Sequence, residues 1–183
     1  KQDEGLPCVL GLATGSSPIS VYNELIKLHQ DEGLSFKKVI TFNLDEYFGL
    51  KPNDINSYHF FMHENLFDHI DIKAQNINIP SGNLDRKKIR DYCKAYEKKI
   101  NQLGGLDFQL LGIGRTGHIG FNEPGSNINS QTRLVTLDHL TRYDAAGAFY
   151  GIENVPSKAI TMGIKTILSA KRIVLLAWGT NKS

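Results

Sequence analysis

The sequence predicts an α/β fold built on a mostly parallel sheet covered on both faces, and three observations predict it. Short strand-like runs alternate with amphipathic stretches along most of the 183 residues. The runs at residues 7–12, 37–44, 106–113 and 172–177 show little apolar/polar alternation, as strands buried on both faces do. Most of them end in a polar turn carrying glycines or acids, where open α/β sheets place ligands.

The first run, residues 7–12, reads as a central strand. Residues 13–18, Ala-Thr-Gly-Ser-Ser-Pro, follow at once. Pro18 suits a first helical turn and Ser17 suits its N-cap. Ile19, Tyr22, Leu25, Ile26 and His29 then recur at helical spacing to about residue 30. Free N–H groups at such a strand–helix turn favour an anion, and Thr14, Ser16 and Ser17 add hydroxyl donors. The Gly-Lys-Ser/Thr ending of a P-loop is absent.

Residues 37–44 read as the second strand, ending in Asp45-Glu46-Tyr47. Two carboxylates at that strand end suggest a general base with a positioning neighbour, or a helix cap beside a solvated acid. Residues 57–69 read as a helix carrying Phe60, Phe61, Leu66 and Phe67. His59 and His63 lie one turn apart, yet the Glu of the zinc-protease pattern is missing, so they are read as surface or packing histidines and no metal is expected. Residues 76–80 are a short extended piece. Residues 85–103 form a lysine-rich amphipathic helix with Ile89, Tyr92, Cys93, Tyr96 and Ile100 as its buried stripe and a solvated basic face.

After Gly104-Gly105, the run 106–113 reads as a buried strand, and glycines then crowd positions 112, 114, 117 and 120. That density costs backbone entropy and gives no packing. Among these glycines sits His118, with Glu123 just beyond. Gly112, Gly114 and Gly117 match the letters of a dinucleotide fingerprint, but an Asn-Glu-Pro loop follows in place of a clean helix, so no nicotinamide cofactor is expected. Residues 132–137 alternate as a strand does, 140–150 read as helical, 159–163 as a short strand, 164–170 as a helix and 172–177 as a last buried strand. Lys182, in the turn after it, is a candidate phosphate partner.

Composition bounds the rest. With 40% apolar and 22% charged residues the chain is ordinary for a globular protein, and residues 1–183 read as one domain cut at both ends. A net charge of +2 gives no reason to expect nucleic acid or a membrane surface as partner. No run approaches the roughly 20 apolar residues of a membrane span, and no secretory leader opens the chain. Cys8 and Cys93 are too few for a disulfide framework and are read as reduced thiols of a cytoplasmic protein.

An anion site, a carboxylate and an imidazole at separate strand ends suit proton transfer on a phosphorylated sugar. One carboxylate can move a proton between adjacent carbons, and a His oriented by a Glu can open a pyranose ring. Residues 12–18, 41–47 and 117–124 together resemble the glucosamine-6-phosphate deaminase family, and the likeness runs from the first strand to Lys182. The resemblance implies a three-layer α/β/α sandwich with a Rossmann-like sheet. It implies conversion of glucosamine 6-phosphate and water to fructose 6-phosphate and ammonia without a cofactor, in a chain that binds a small sugar phosphate and is compatible with a homo-oligomer. It makes Asp45 the base, His118 the ring-opening group and Glu123 its orienting partner. Ala13, Thr14, Gly15, Ser16, Ser17 and Lys182 would hold the phosphate, with Glu46 and Gly114 beside the substrate.

The sequence departs from the family pattern in three places. Thr116 stands where the family has an Asp of the ring-opening group, which removes a charge beside the imidazole. Residues 144–149 hold no match for the family's phosphate-binding Arg, and Arg142 is the nearby candidate substitute. Ser126, Arg133 and Thr136 match the allosteric pocket of some members, but Val135 replaces a basic residue there, so regulation by an acetylated sugar phosphate is not expected. Two further readings stand beside the deaminase: a sugar-phosphate sensor without turnover, and a hydrolase of the 6-phosphogluconolactonase type.

Overall fold

The computed structural model describes residues 6–177. Five parallel strands form its main sheet in the order β4-β2-β1-β5-β8: β1 is Cys8–Leu12, β2 Val39–Asn43, β4 Ile77–Asn78, β5 Phe108–Gly112 and β8 Ile173–Leu176. Helices α1 (Ile19–Glu32) and α2 (Tyr58–Asn65) cover one face, where Tyr22, Met62 and Leu66 pack against Leu12 and Leu110. Helices α3 (Ile89–Gln102) and α5 (Ile164–Leu168) cover the other, where Tyr96, Ile100 and Ile167 pack with Val9, Phe42 and Leu111. These are the expected three layers, and the buried stripe of α3 is Ile89, Cys93, Tyr96, Glu97 and Ile100.

The structure adds a second sheet. Residues Asp45–Tyr47 form β3, which pairs antiparallel with β7 (Lys158–Thr161), and β7 pairs antiparallel with β6 (Arg133–Thr136). The sequence shows 45–47 only as the tail of a parallel strand. Three residues are too few to carry a period, and the partner lies more than a hundred positions away. A third apolar cluster, including Tyr47, Phe121, Phe149 and Val155, backs this sheet.

Other expectations need correction. Ser17 is not the cap of α1: Pro18 occupies that position, and no side chain caps the helix. Helix α4 is only His139–Ala145, shorter than 140–150, because the chain turns at Gly147 and reverses through Tyr150 and Gly151, both at positive φ. Strand β8 is not buried: Ile173, Val174 and Leu175 are exposed, since β8 is an edge of the sheet among the described residues. His59 and His63 stack on each other, and His63 Nδ1 pairs with Asp68. Among the described residues no three His, Cys, Asp or Glu side chains cluster as metal ligands, and no helix is long and apolar enough to cross a membrane.

Candidate functional site

A cavity of about 230 Å³ opens at the carboxyl ends of β1 and β5, beside β3. Its lining comes from three separate strand ends. The turn after β1 supplies Ala13, Thr14, Gly15, Ser16 and Ser17; the passage from β2 into β3 supplies Leu44 and Asp45; the loop after β5 supplies Gly114, His118, Gly120 and Phe121. Tyr58, the first residue of α2, closes one side.

Asp45 and Glu46 part company here. Successive residues of a strand point to opposite faces, so Asp45 lines the cavity while Glu46 turns away from it. Both oxygens of Glu46 are engaged: Oε1 accepts the N–H groups of Tyr47 and Tyr58, and Oε2 accepts that of His59. With the Ser57 hydroxyl accepting from Phe60 N–H, Glu46 satisfies the exposed donors at the start of α2. Glu46 is therefore an anchor for the helix that carries Tyr58, and it does not line the cavity.

Asp45 is buried, and the loss of water followed by the charge of Glu46 pushes its carboxyl up to about 8. Burial likewise pushes Glu46 up to about 7, against the three N–H groups that favour its ionised form. The space in front of Asp45 exists because position 120 is glycine. It sits at φ 56°, and a Cβ there would lie 3.3 Å from Asp45 Oδ2 and 2.9 Å from the Thr161 hydroxyl.

His118 lies over a second glycine. A Cβ on Gly114 would fall 2.1 Å from the imidazole ring, so only glycine lets the ring take this position. The Thr116 hydroxyl is 2.8 Å from His118 Nδ1 and donates to Glu123 Oε2 at 2.8 Å. A hydroxyl has one proton. Since it goes to the carboxylate, the oxygen of Thr116 accepts from Nδ1–H, and Nε2 is left as the basic nitrogen of the neutral ring. Glu123 Oε1 lies 3.5 Å from Nδ1 and accepts a hydrogen bond from the Thr141 hydroxyl of α4. The absent Asp is thus replaced by a hydroxyl relay.

Not every candidate joins the site. Arg142 Nη2 donates to the carbonyls of Ile152 and Val155, which ties α4 to the following loop, and Arg142 does not line the cavity. Lys182 lies outside the described residues. The sequence reading missed Thr141, Gly120 and Phe121 as site components. Gly120 and Phe121 do fall within the 117–124 motif, whereas Thr141 and Tyr58 lie outside the motif stretches.

Residues 2–183 match the family of glucosamine-6-phosphate isomerases and 6-phosphogluconolactonases. The chain belongs to that family. This family member is 54% identical over 175 residues to glucosamine-6-phosphate deaminase 1 of Bacillus subtilis, covering 96% of this chain and 72% of that protein. It is 52% identical over all 183 residues to a putative glucosamine-6-phosphate deaminase-like protein of Bacteroides thetaiotaomicron, of which it spans 28%. Among solved structures, a monomeric glucosamine-6-phosphate deaminase superposes with a TM-score of 0.89 at 54% identity, over 92% of this chain and 69% of that one. A 6-phosphogluconolactonase from Thermotoga maritima reaches a TM-score of 0.72 at 19% identity, over 99% and 74% of the two chains, a likeness of fold alone.

Proposed function

We propose that this chain carries the site of an aminosugar-phosphate deaminase that converts glucosamine 6-phosphate and water to fructose 6-phosphate and ammonia. The single observation that supports it best is that a buried carboxylate, Asp45, and an imidazole with a free Nε2, His118, line one cavity whose end is the 13–17 turn. In this reading the backbone N–H groups and hydroxyls of that turn hold the phosphate. His118 Nε2 takes the proton of the C1 hydroxyl and returns it to the ring oxygen, which opens the sugar. Thr116 and Glu123 hold the ring in the tautomer that permits this.

Asp45 then removes the C2 proton of the open aldehyde and delivers it to C1. With an amino proton passing to the C1 oxygen, the product of that shift is an imine at C2 beside a C1 hydroxyl. Water adds to C2, and ammonia leaves. No step needs a metal or a redox cofactor. The chemistry is isomerisation with deamination. The lactonase reading loses ground because the relatives at 49–54% identity over most of the chain carry the deaminase name, whereas the lactonases match at 16–22%. We place the enzyme in the cytoplasm, where its phosphorylated substrate would be met, and leave its assembly to measurement, since one similar deaminase is monomeric.

Incubation with glucosamine 6-phosphate tests this directly. Stoichiometric release of ammonia and fructose 6-phosphate is the expected result. Saturable binding without release would instead make the chain a sugar-phosphate sensor.

A further inference from the structure

Glu123 carries more partners than the relay needs. Thr116 occupies Oε2, and Thr141, a buried residue in the first turn of α4, donates its hydroxyl proton to Oε1. The same helix is pinned to the glycine loop a second time, where Arg115 pairs with Asp144 at 2.9 Å. Helix α4 thus touches the loop through a hydroxyl–carboxylate bond and an ion pair, at positions on either side of His118 in the chain.

The Thr141 bond decides between two arrangements of the carboxylate. Oε1 sits 3.5 Å from His118 Nδ1, just too far for a good hydrogen bond but near enough to close with a small rotation. While Thr141 holds Oε1, the carboxylate stays turned toward α4, and the Nδ1 proton goes to the Thr116 oxygen. Released from Thr141, Oε1 is free to swing onto Nδ1 and form a direct charge-assisted pair, which favours the imidazolium over the neutral ring.

We propose that Thr141 is a positioning residue for His118, acting through Glu123: its hydroxyl keeps the carboxylate at one remove from the imidazole, so that the ring stays neutral with Nε2 free. The proposal rests on the deaminase reading for its kinetic consequence but not for its structural one. Asp45 of β3 lines the same cavity as the ring, and Arg115, three residues before His118, is paired with Asp144 of α4.

The test uses Thr141→Val and Thr141→Ser, read by nitrogen NMR of the histidine side chains, with His118 assigned by comparison with His118→Gln. In the parent, His118 is expected as the neutral tautomer protonated on Nδ1. In Thr141→Val its titration midpoint is expected to move up by about half a unit or more. The kcat on glucosamine 6-phosphate is expected to fall about tenfold with KM little changed. Thr141→Ser, which keeps the hydroxyl, should restore both. A parent ring protonated on Nε2 overturns the proposal whatever the variants do. So does an unmoved His118 titration in a folded Thr141→Val, even if its activity falls, because that pattern is a merely structural loss. Failure of the parent to release ammonia would instead remove the deaminase reading, and the NMR result would still stand or fall separately.

Discussion

Asp45 and Glu46 are neighbours in β3 whose carboxylates serve opposite sides of the strand. One faces the cavity. The other accepts three backbone N–H groups, two of them at the start of α2. The pairing places a proton-transfer group beside a carboxylate that the fold holds in place with helix N–H donors and whose charge still raises its neighbour.

Replacing Asp45 with Asn should abolish ammonia release and also stabilise the protein. The folded carboxyl holds its proton up to about pH 8, whereas the ordinary value is 3.8. Between those limits the unfolded chain releases a proton that the folded chain keeps, so this group's contribution to stability is lost as pH rises. Asn carries no such cost. The gap in melting temperature between Asp45→Asn and the parent should therefore widen from pH 5 to pH 8.5, reaching at least about 5 °C. A constant gap in thermal scans across that range would contradict the burial argument.

The same raised value sets the pH dependence of catalysis. Only the ionised Asp45 accepts the C2 proton, and kcat/KM reports groups of the free enzyme. A rate–pH profile should climb as pH rises, with its midpoint near 8 and its plateau about a unit above. A plateau already reached at pH 5 would mean that another group supplies the base.

Glu46→Gln is expected to act on stability more than on chemistry. The amide keeps one acceptor but loses the charge at the head of α2, and one side of it presents N–H to N–H. A loss of about 1–3 kcal/mol in urea unfolding should result. An equal loss of activity in a fully folded variant would return Glu46 to the substrate space.

Gly114→Ala tests the seat of the imidazole. The added Cβ would collide with the His118 ring at 2.1 Å, so the ring must leave its place and break the Thr116 contact. Activity should fall by about a hundredfold or more while the circular dichroism spectrum stays that of the parent. Gly117, at φ 84° with open space about it, would lose folding stability rather than His118 geometry on the same substitution.

Much of this was legible in the chain. Residues 7–12 and 106–113 are recognisable as buried strands because the main sheet hides both faces, which leaves a continuous apolar run. The glycines at 114 and 120 mark their own loop, since no other residue fits so close to His118 and Asp45. Strand β3 was not legible, because its hydrogen-bond partner is β7, far along the chain. Nor was the sharing of work between adjacent acids, which depends on which face of β3 meets the cavity.

The sequence by itself determined the alternation of elements, the strand ends that carry chemistry and the types of group found there, because local propensity and burial period are written residue by residue. Only the tertiary structure decided that Glu46 and Arg142 bind backbone and that Thr116 and Thr141 share the Glu123 carboxylate. Hydrogen-bond partners are chosen by distance in space, and a side chain's neighbours across a loop or a helix leave no periodic trace in the order of residues.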